Sequence, residues 1–262
     1  VKHGYTLDNA WAKARERLAF LESVLNPHSF QHLEALGVGE GWHCLDVGAG
    51  GGSVSEWLCR KFGSAGHVVA TDIDTRFLDL LPCSNLEVRR HNVTRETLPK
   101  AEFDLVHCRA PLVHLAERER ALENMVAALK PGGWLLVEEP DSASSRLDPR
   151  FRGADRFAKG LDAGRHVLSM AGYDIFCGRN LYGDVHATGL IDLDAAGHVH
   201  LIRAHSPYAL FYKETFTQLR DRVVTSGKLS DEEMDQFLEL HDDEGLVWIS
   251  PTWMAVWGRK PG

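Results

Sequence analysis

The chain lacks an apolar run long enough to cross a membrane, and no signal peptide is read in it. A cytoplasmic, soluble protein is the expectation. Cysteine is scarce and unpaired in pattern. Cys44, Cys59, Cys83, Cys108 and Cys177 are odd in number and show no C-x-x-C spacing, which excludes a zinc knuckle and a disulfide framework. Cys44, Cys59 and Cys108 fall in expected core elements, as small reduced hydrophobes. Basic charge is also short. Lys and Arg number 29 against 37 Asp and Glu, for a formal net charge of −8. Affinity for nucleic acid comes largely from Lys and Arg on phosphates, so nucleic acid is not an expected partner. No metal is expected either. Fourteen histidines show no ligand spacing, and His198 and His200, which share a face of an expected strand, have no third ligand nearby. There is no repeat and no low-complexity linker, so 262 residues at 44% hydrophobic read as one domain.

What is present alternates. Leu7, Trp11, Ala14, Leu18, Leu21 and Leu25 form one helical stripe, which Asn26-Pro27 is expected to end. A shorter helix then carries Phe30, Leu33 and Leu36 and stops at Gly37. Strands are expected at Cys44–Val47, His67–Thr71, Leu86–Arg90, Phe103–Cys108 and Trp134–Glu138. Between them come helices from Ser53 to Gly63, from Thr75 to near Pro82, and from Glu117 to Leu129. That alternation predicts an α/β fold, a parallel sheet with helices on both faces. Residues 142–187 insert helices near Phe151–Met170 and Arg179–Thr188. Strands follow near Gly197–Arg203 and Val247–Trp257, separated by helices near Glu214–Ser226 and Asp231–His241. The expected divisions are an N-terminal helical lid (1–38), a cofactor-binding half (39–141), a cap insertion (142–190) and a C-terminal part (191–262).

The segment Leu45-Asp46-Val47-Gly48-Ala49-Gly50-Gly51-Gly52-Ser53 carries the most chemistry. Glycine permits a tight turn and close approach of a ligand to the backbone. The helix that follows aims free N–H groups at the same spot. Asp72, just past the next strand, can accept both hydroxyls of a ribose. A dinucleotide fingerprint, G-x-G-x-x-G, would need glycine at 53, where this chain has Ser53. Asp46 and glycines 48, 50 and 52 make another pattern.

That pattern resembles motif I of the class I S-adenosylmethionine-dependent methyltransferases, in their small-molecule, ubiquinone-methyltransferase-like branch. Thr71-Asp72-Ile73-Asp74, Arg90-His91-Asn92-Val93, Phe103-Asp104-Leu105-Val106 and Leu129-Lys130-Pro131-Gly132-Gly133-Trp134-Leu135 are similar to further segments of that family. The resemblance is strong over about residues 40–140. It implies a Rossmann-like, doubly wound seven-stranded sheet of order 3-2-1-4-5-7-6 with the seventh strand antiparallel, and S-adenosyl-L-methionine as cofactor. Besides Asp46 in motif I, it places Gly48, Ala49 and Gly50 against the methionine and ribose portions and Asp72 on the ribose hydroxyls. Ile73 would lie on the adenine. Asn92 would accept the adenine amino group through its amide oxygen, and Val93 would donate its N–H to the ring. The backbone of Cys108 and Arg109 would meet the methionine amino group.

Methyl transfer needs alignment, exclusion of water and sometimes removal of a proton. The candidate bases near the rim are His114, Glu139 and Tyr5; packing, capping and a staple on the first helix are their alternative roles. Glu138 and Glu139, adjacent on a strand, face opposite ways. Phe151, Phe157, Met170, Tyr173, Phe176 and Tyr182 suit a flat, apolar or aromatic acceptor, methylated at O, N or carbon in secondary metabolism. The alternative is a cofactor-binding protein that does not methylate, acting as a partner subunit or a cyclase. A homodimer is left open.

Overall fold

The computed structural model describes residues 7–262; Tyr5 lies outside them. In chain order the elements are α1 (Ala14–Ala35), β1 (His43–Val47), α2 (Ser53–Phe62), β2 (His67–Asp72), β3 (Leu86–Arg90), β4 (Phe103–Arg109), α3 (Arg118–Ala128), β5 (Leu129–Asp141), β6 (Arg146–Leu147), α4 (Ala154–Met170), α5 (Cys177–His186), β7 (Ile191–His198), β8 (Leu201–Arg203), α6 (Pro207–Thr225), α7 (Asp231–Glu239), β9 (Val247–Ile249) and β10 (Thr252–Arg259). Among the described residues no helix is long and apolar enough to cross a membrane.

The main sheet has the order β3-β2-β1-β4-β5-β10-β7, and β6-β9-β8 form a smaller second sheet. Strands β1 to β5 run parallel, while β10 is antiparallel to both β5 and β7. β10 is the seventh strand of the expected order and β7 the sixth, so the expected topology holds.

Alternation along the central strands divides the interior. Leu45, Val47, Val106, Cys108, Leu135 and Val137 pack with Leu122 and Met125 of α3 and Leu181 and Val185 of α5. Cys44, Leu105, Leu136 and Ala255 pack the other way, on Leu58 and Phe62 of α2 and Leu33 of α1. A third cluster lies off the sheet. It joins Leu25 of α1 to Phe157 and Leu161 of α4, Phe216 and Leu219 of α6, Phe237 of α7, and Trp248 and Trp253.

Five expectations need correction. Pro27 does not end the first helix; α1 runs through it to Ala35. A helical proline removes one N–H bond, but Leu25 and Leu33, both buried, anchor the helix on either side. Gly37, at φ +78°, ends this region as expected. The stretch after Thr75 makes only a 3₁₀ turn, Leu78–Leu80. Leu81 precedes Pro82 and is extended at ψ 130°, as a residue before proline prefers. Gly197–Arg203 is not one strand: the sheet takes Ile191–His198, and Leu201–Arg203 joins the small sheet. Val247–Trp257 likewise splits at Ser250-Pro251 into β9 and β10. Finally, α5 packs beneath the sheet, so α4, α6 and α7, not the whole of 142–190, join α1 over the rim.

Candidate functional site

The parallel strands end at one rim, where ligands of open α/β sheets sit. A cavity of about 780 Å³ opens there, within the range of small-molecule sites. It reaches from the glycine loop between β1 and α2 to the cap helices α4 and α6.

At the loop end, Gly48, Gly50 and Gly52 all have positive φ, at +66°, +59° and +86°. An added Cβ at Gly48 would lie 2.2 Å from Cγ of Pro111. At Gly50 it would meet no atom nearer than 3.9 Å and would take up cavity space instead. Gly52 caps α2, so the loop delivers the helix N-terminus to the cavity. Asp72 fixes the loop: Gly50 N–H donates to its Oδ2 and Asp74 N–H to its Oδ1, each at 3.0 Å. Each oxygen keeps a lone pair for a hydroxyl. Burial raises the pKa of Asp72 against these two bonds. Ala49, Ile73 and Val93 line the same end, with Ile73 46% exposed at its edge. These residues fit a nucleoside: a carboxylate for the ribose, apolar side chains for a flat ring, and a loop with no side chain in the way.

Asn92 also lines the cavity, but its amide oxygen already accepts the N–H and the hydroxyl of Thr94, at 3.1 and 2.8 Å. This Asx turn at the strand end leaves the amide N–H₂, a donor, as the group with capacity. The expected acceptor role for the adenine amino group is corrected accordingly. Cys108 pairs in register with Val47 and Val137, and its side chain is buried in the sheet core, away from the cavity.

Arg109 lines the cavity and ties α1 down. Its Nη1 donates to Asn26 Oδ1 at 3.1 Å and to Ser29 Oγ at 2.8 Å. From α1, Glu22 reaches the loop, so that a Cβ on Gly51 would lie 2.4 Å from its Oε1. Burial raises the pKa of Glu22, while the Arg109 charge and Ser53 at the start of α2 pull it down.

Asp46 sits beneath the loop in a row of charges that crosses three strands. Its carboxylate accepts from Ser55 Oγ at 2.5 Å and pairs with His107 Nδ1 at 2.8 Å; His107 Nε2 lies 3.1 Å from Glu138 Oε2. Burial opposes a charge on this ring, but the two carboxylates outweigh it and lift His107 to about 9. The sequence shows this row only in hindsight, as polar residues on the in-facing positions of three core strands.

Two candidate bases are described. Glu139 is fully buried, and its oxygens accept the N–H groups of Leu112 and Val113 at 2.7 and 3.1 Å. Burial carries its pKa to about 8 despite those bonds. It holds the turn that presents His114 and does not line the cavity, so its expected place among the bases is corrected. His114 does line the cavity, edge-on to Tyr173 at 5.0 Å between ring centroids. Burial, with the Arg17 charge, lowers it to about 4, leaving a neutral imidazole near pH 7.

The cap end is built of Tyr173, Phe211, Tyr212, Phe216, Trp248 and Trp253. Of the aromatics singled out in the sequence, only Tyr173 is among them. Phe157 and Phe151 pack inside the cap, and Phe176 and Tyr182 are exposed. Arg17 and Glu22 were missed. Arg17 left a signal: it stands on the apolar stripe, three residues after Ala14 and four before Leu21.

Residues 45–137 match a family model described as a methyltransferase domain. The ubiquinone/menaquinone biosynthesis C-methyltransferase UbiE of Pseudomonas putida (strain GB-1) is 30% identical over 147 residues, 53% of this chain and 57% of that protein. The chain thus spans little more than half the length of the curated relatives it matches. Among solved structures, a Haemonchus contortus phosphoethanolamine N-methyltransferase 2 aligns over 100% of this chain and 61% of its own, with a TM-score of 0.63 at 16% identity. The [4+2]-cyclase SpnF aligns over 86% of this chain and 76% of its own, with a TM-score of 0.51 at 17% identity. These structural likenesses speak to the fold.

Proposed function

We propose that this chain, whose residues 45–137 match a methyltransferase domain, is a class I S-adenosylmethionine-dependent methyltransferase that methylates an O, N or aromatic carbon of a small, largely apolar or aromatic molecule. The observation that carries this is one cavity with two unlike ends. The loop end presents Glu22, Asp46 and Asp72 together with a helix N-terminus, and the cap end is a wall of aromatic rings. Carboxylates suit a cofactor that is both a ribonucleoside and a cation; aromatic rings suit an apolar acceptor.

When bound, S-adenosyl-L-methionine supplies an electrophilic methyl group on a sulfonium. The chain's own residues bind, align and exclude water. Asp72 would hold the ribose hydroxyls, with Gly48, Ala49 and Gly50 beside the methionine and ribose. Arg109 keeps α1 over the loop. Ile73 and Val93 would flank the adenine, with Asn92 offering its amide N–H₂. His114, a neutral imidazole lining the cavity, would take a proton from an oxygen or nitrogen nucleophile. A role in secondary metabolism fits an acceptor pocket built mostly from cap elements, to which the main sheet adds Trp253 of β10.

Calorimetric titration with S-adenosylmethionine and S-adenosylhomocysteine tests the site. Wild type is expected to bind both, and Asp72→Ala to lose about 1–3 kcal/mol, the scale of a buried hydrogen-bond partner. A well-folded wild type that binds neither would defeat the proposal. Cofactor binding without turnover across a panel of aromatic acceptors would favour the alternative, a protein that uses this fold without methylating. SpnF, a cyclase by name, has a similar fold.

A further inference from the structure

We infer that Arg17 binds an oxyanion of the acceptor, so that the acceptor is an aromatic or apolar molecule bearing a carboxylate or a phosphate monoester. The inference deepens the proposed function and rests on its assignment of the cap end to the acceptor.

Arg17 is only 2% exposed and lines the cavity. Among the described residues its Nε and Nη2 have no hydrogen-bond partner. These two nitrogens form one edge of the planar guanidinium, and their N–H bonds run side by side. That edge matches the two oxygens of a carboxylate or phosphate. The contact described for the group is with the Phe211 ring, 5.8 Å from its centroid. A buried cation without an acid is costly to the fold, and a bound anion would offset that cost.

Arg109 and Arg165, two further cations of the cavity, and the carboxylates Asp46 and Asp72 have partners. Arg109 is held by Asn26 and Ser29, and Arg165 by Asp162 and the Ser142 carbonyl. Asp46 is bound to Ser55 and His107, and Asp72 to the loop. One turn before Arg17, Lys13 takes the acid that α6 supplies, pairing with Glu214 at 2.7 Å. Near Arg17 are the Phe211 ring and His114, which feels its charge. A ligand here needs a flat apolar body for the rings and a planar anion for the fork. Its anion would also relieve the charge that Arg17 exerts on His114, making that imidazole a better proton acceptor once the acceptor is bound.

The test uses the whole chain loaded with S-adenosylhomocysteine and three probes: benzoate, its neutral isostere benzamide, and phenyl phosphate. Wild type is expected to bind benzoate or phenyl phosphate at least tenfold more tightly than benzamide. The tighter of the two anions identifies the oxyanion. Arg17→Met is expected to lose that preference, to keep its affinity for S-adenosylhomocysteine, and to melt no lower than wild type, since it removes a buried unpaired charge. Benzamide binding as well as both anions to wild type would overturn the inference, whether or not the variant folds. Anion affinity in Arg17→Met within twofold of wild type would also overturn it. Failure of S-adenosylhomocysteine itself to bind would instead strike the methyltransferase proposal, and this inference with it.

Discussion

Gly48 and Gly63 have nearly the same φ, +66° and +63°, yet their surroundings separate them. A methyl on Gly48 meets Pro111, while one on Gly63 meets nothing within 4 Å. Gly63, with ψ −165°, occupies a region open essentially to glycine alone, so Gly63→Ala is expected to cost about 1–3 kcal/mol of backbone strain and to leave cofactor binding unchanged. Gly48→Ala should add about 1–3 kcal/mol of overpacking to its own strain and weaken cofactor binding, because Pro111 must move. Urea denaturation and calorimetry on both variants check this, and wild-type cofactor affinity in Gly48→Ala would refute it. At this scale the sequence was a good guide to residue type and a poor one to the partner. The glycines and Asp72 are where motif and spacing put them. Asn92 and Glu139 are also at the rim, but their oxygens are already bound by Thr94 and by the turn at Leu112 and Val113. No spacing rule reports which backbone N–H a carboxylate or amide will meet first.

Among the elements, α1 shows why packing overrides local signals. Asn26-Pro27 is a sound stop in an isolated helix, but here buried side chains on both sides keep the helix running. The central strands were legible because they are buried on both faces and read as apolar runs. β7 was misplaced because, at the sheet edge, its Ile191 and Asp192 are exposed and the apolar run continues past its end into β8. The hold of Arg109 on α1 gives a prediction for the helix as a unit. Removing its bonds to Asn26 and Ser29 by Arg109→Ala should speed amide hydrogen exchange along α1 by about tenfold, the scale of a lost 1.4 kcal/mol. β4 and β5 should exchange as before. Equal acceleration throughout would mean that Arg109 stabilises the whole fold and not the helix.

Over the whole molecule, buried titrating groups set the pH dependence of stability. His114, His198 and His241 are each lowered to about 4, chiefly by burial. Unfolding lets them take up protons below about 6.5, so stability falls as pH drops through that window toward 4. His107, lifted to about 9 by its two carboxylates despite burial, has the opposite sign. Its contribution is complete below about 6.5 and is lost as pH rises through 9. Glu139, raised by burial to about 8, favours the folded state while protonated and also loses stability as pH rises from about 4.5 to 8. Below 6.5 three histidines oppose one acid; above it, both remaining groups act downward. Melting temperature is therefore expected to peak near pH 6.5, and His107→Gln should flatten its alkaline decline. A profile still rising at pH 9 would contradict the charge assigned to the row from Asp46 to Glu138.

The unbroken course of α1 also bears on how such a protein can change over generations. The front half of the helix is cap and the back half packs on the face of the sheet opposite α5. Helices α4, α6 and α7 can be recut to accept a differently shaped guest without disturbing the nucleoside end. The helix that carries Arg17 and Glu22 has no such freedom, because altering its pitch or length would shift Leu33 on the sheet. Acceptor shape is thus left free to drift, while the charge that Arg17 selects is inherited together with the cofactor half.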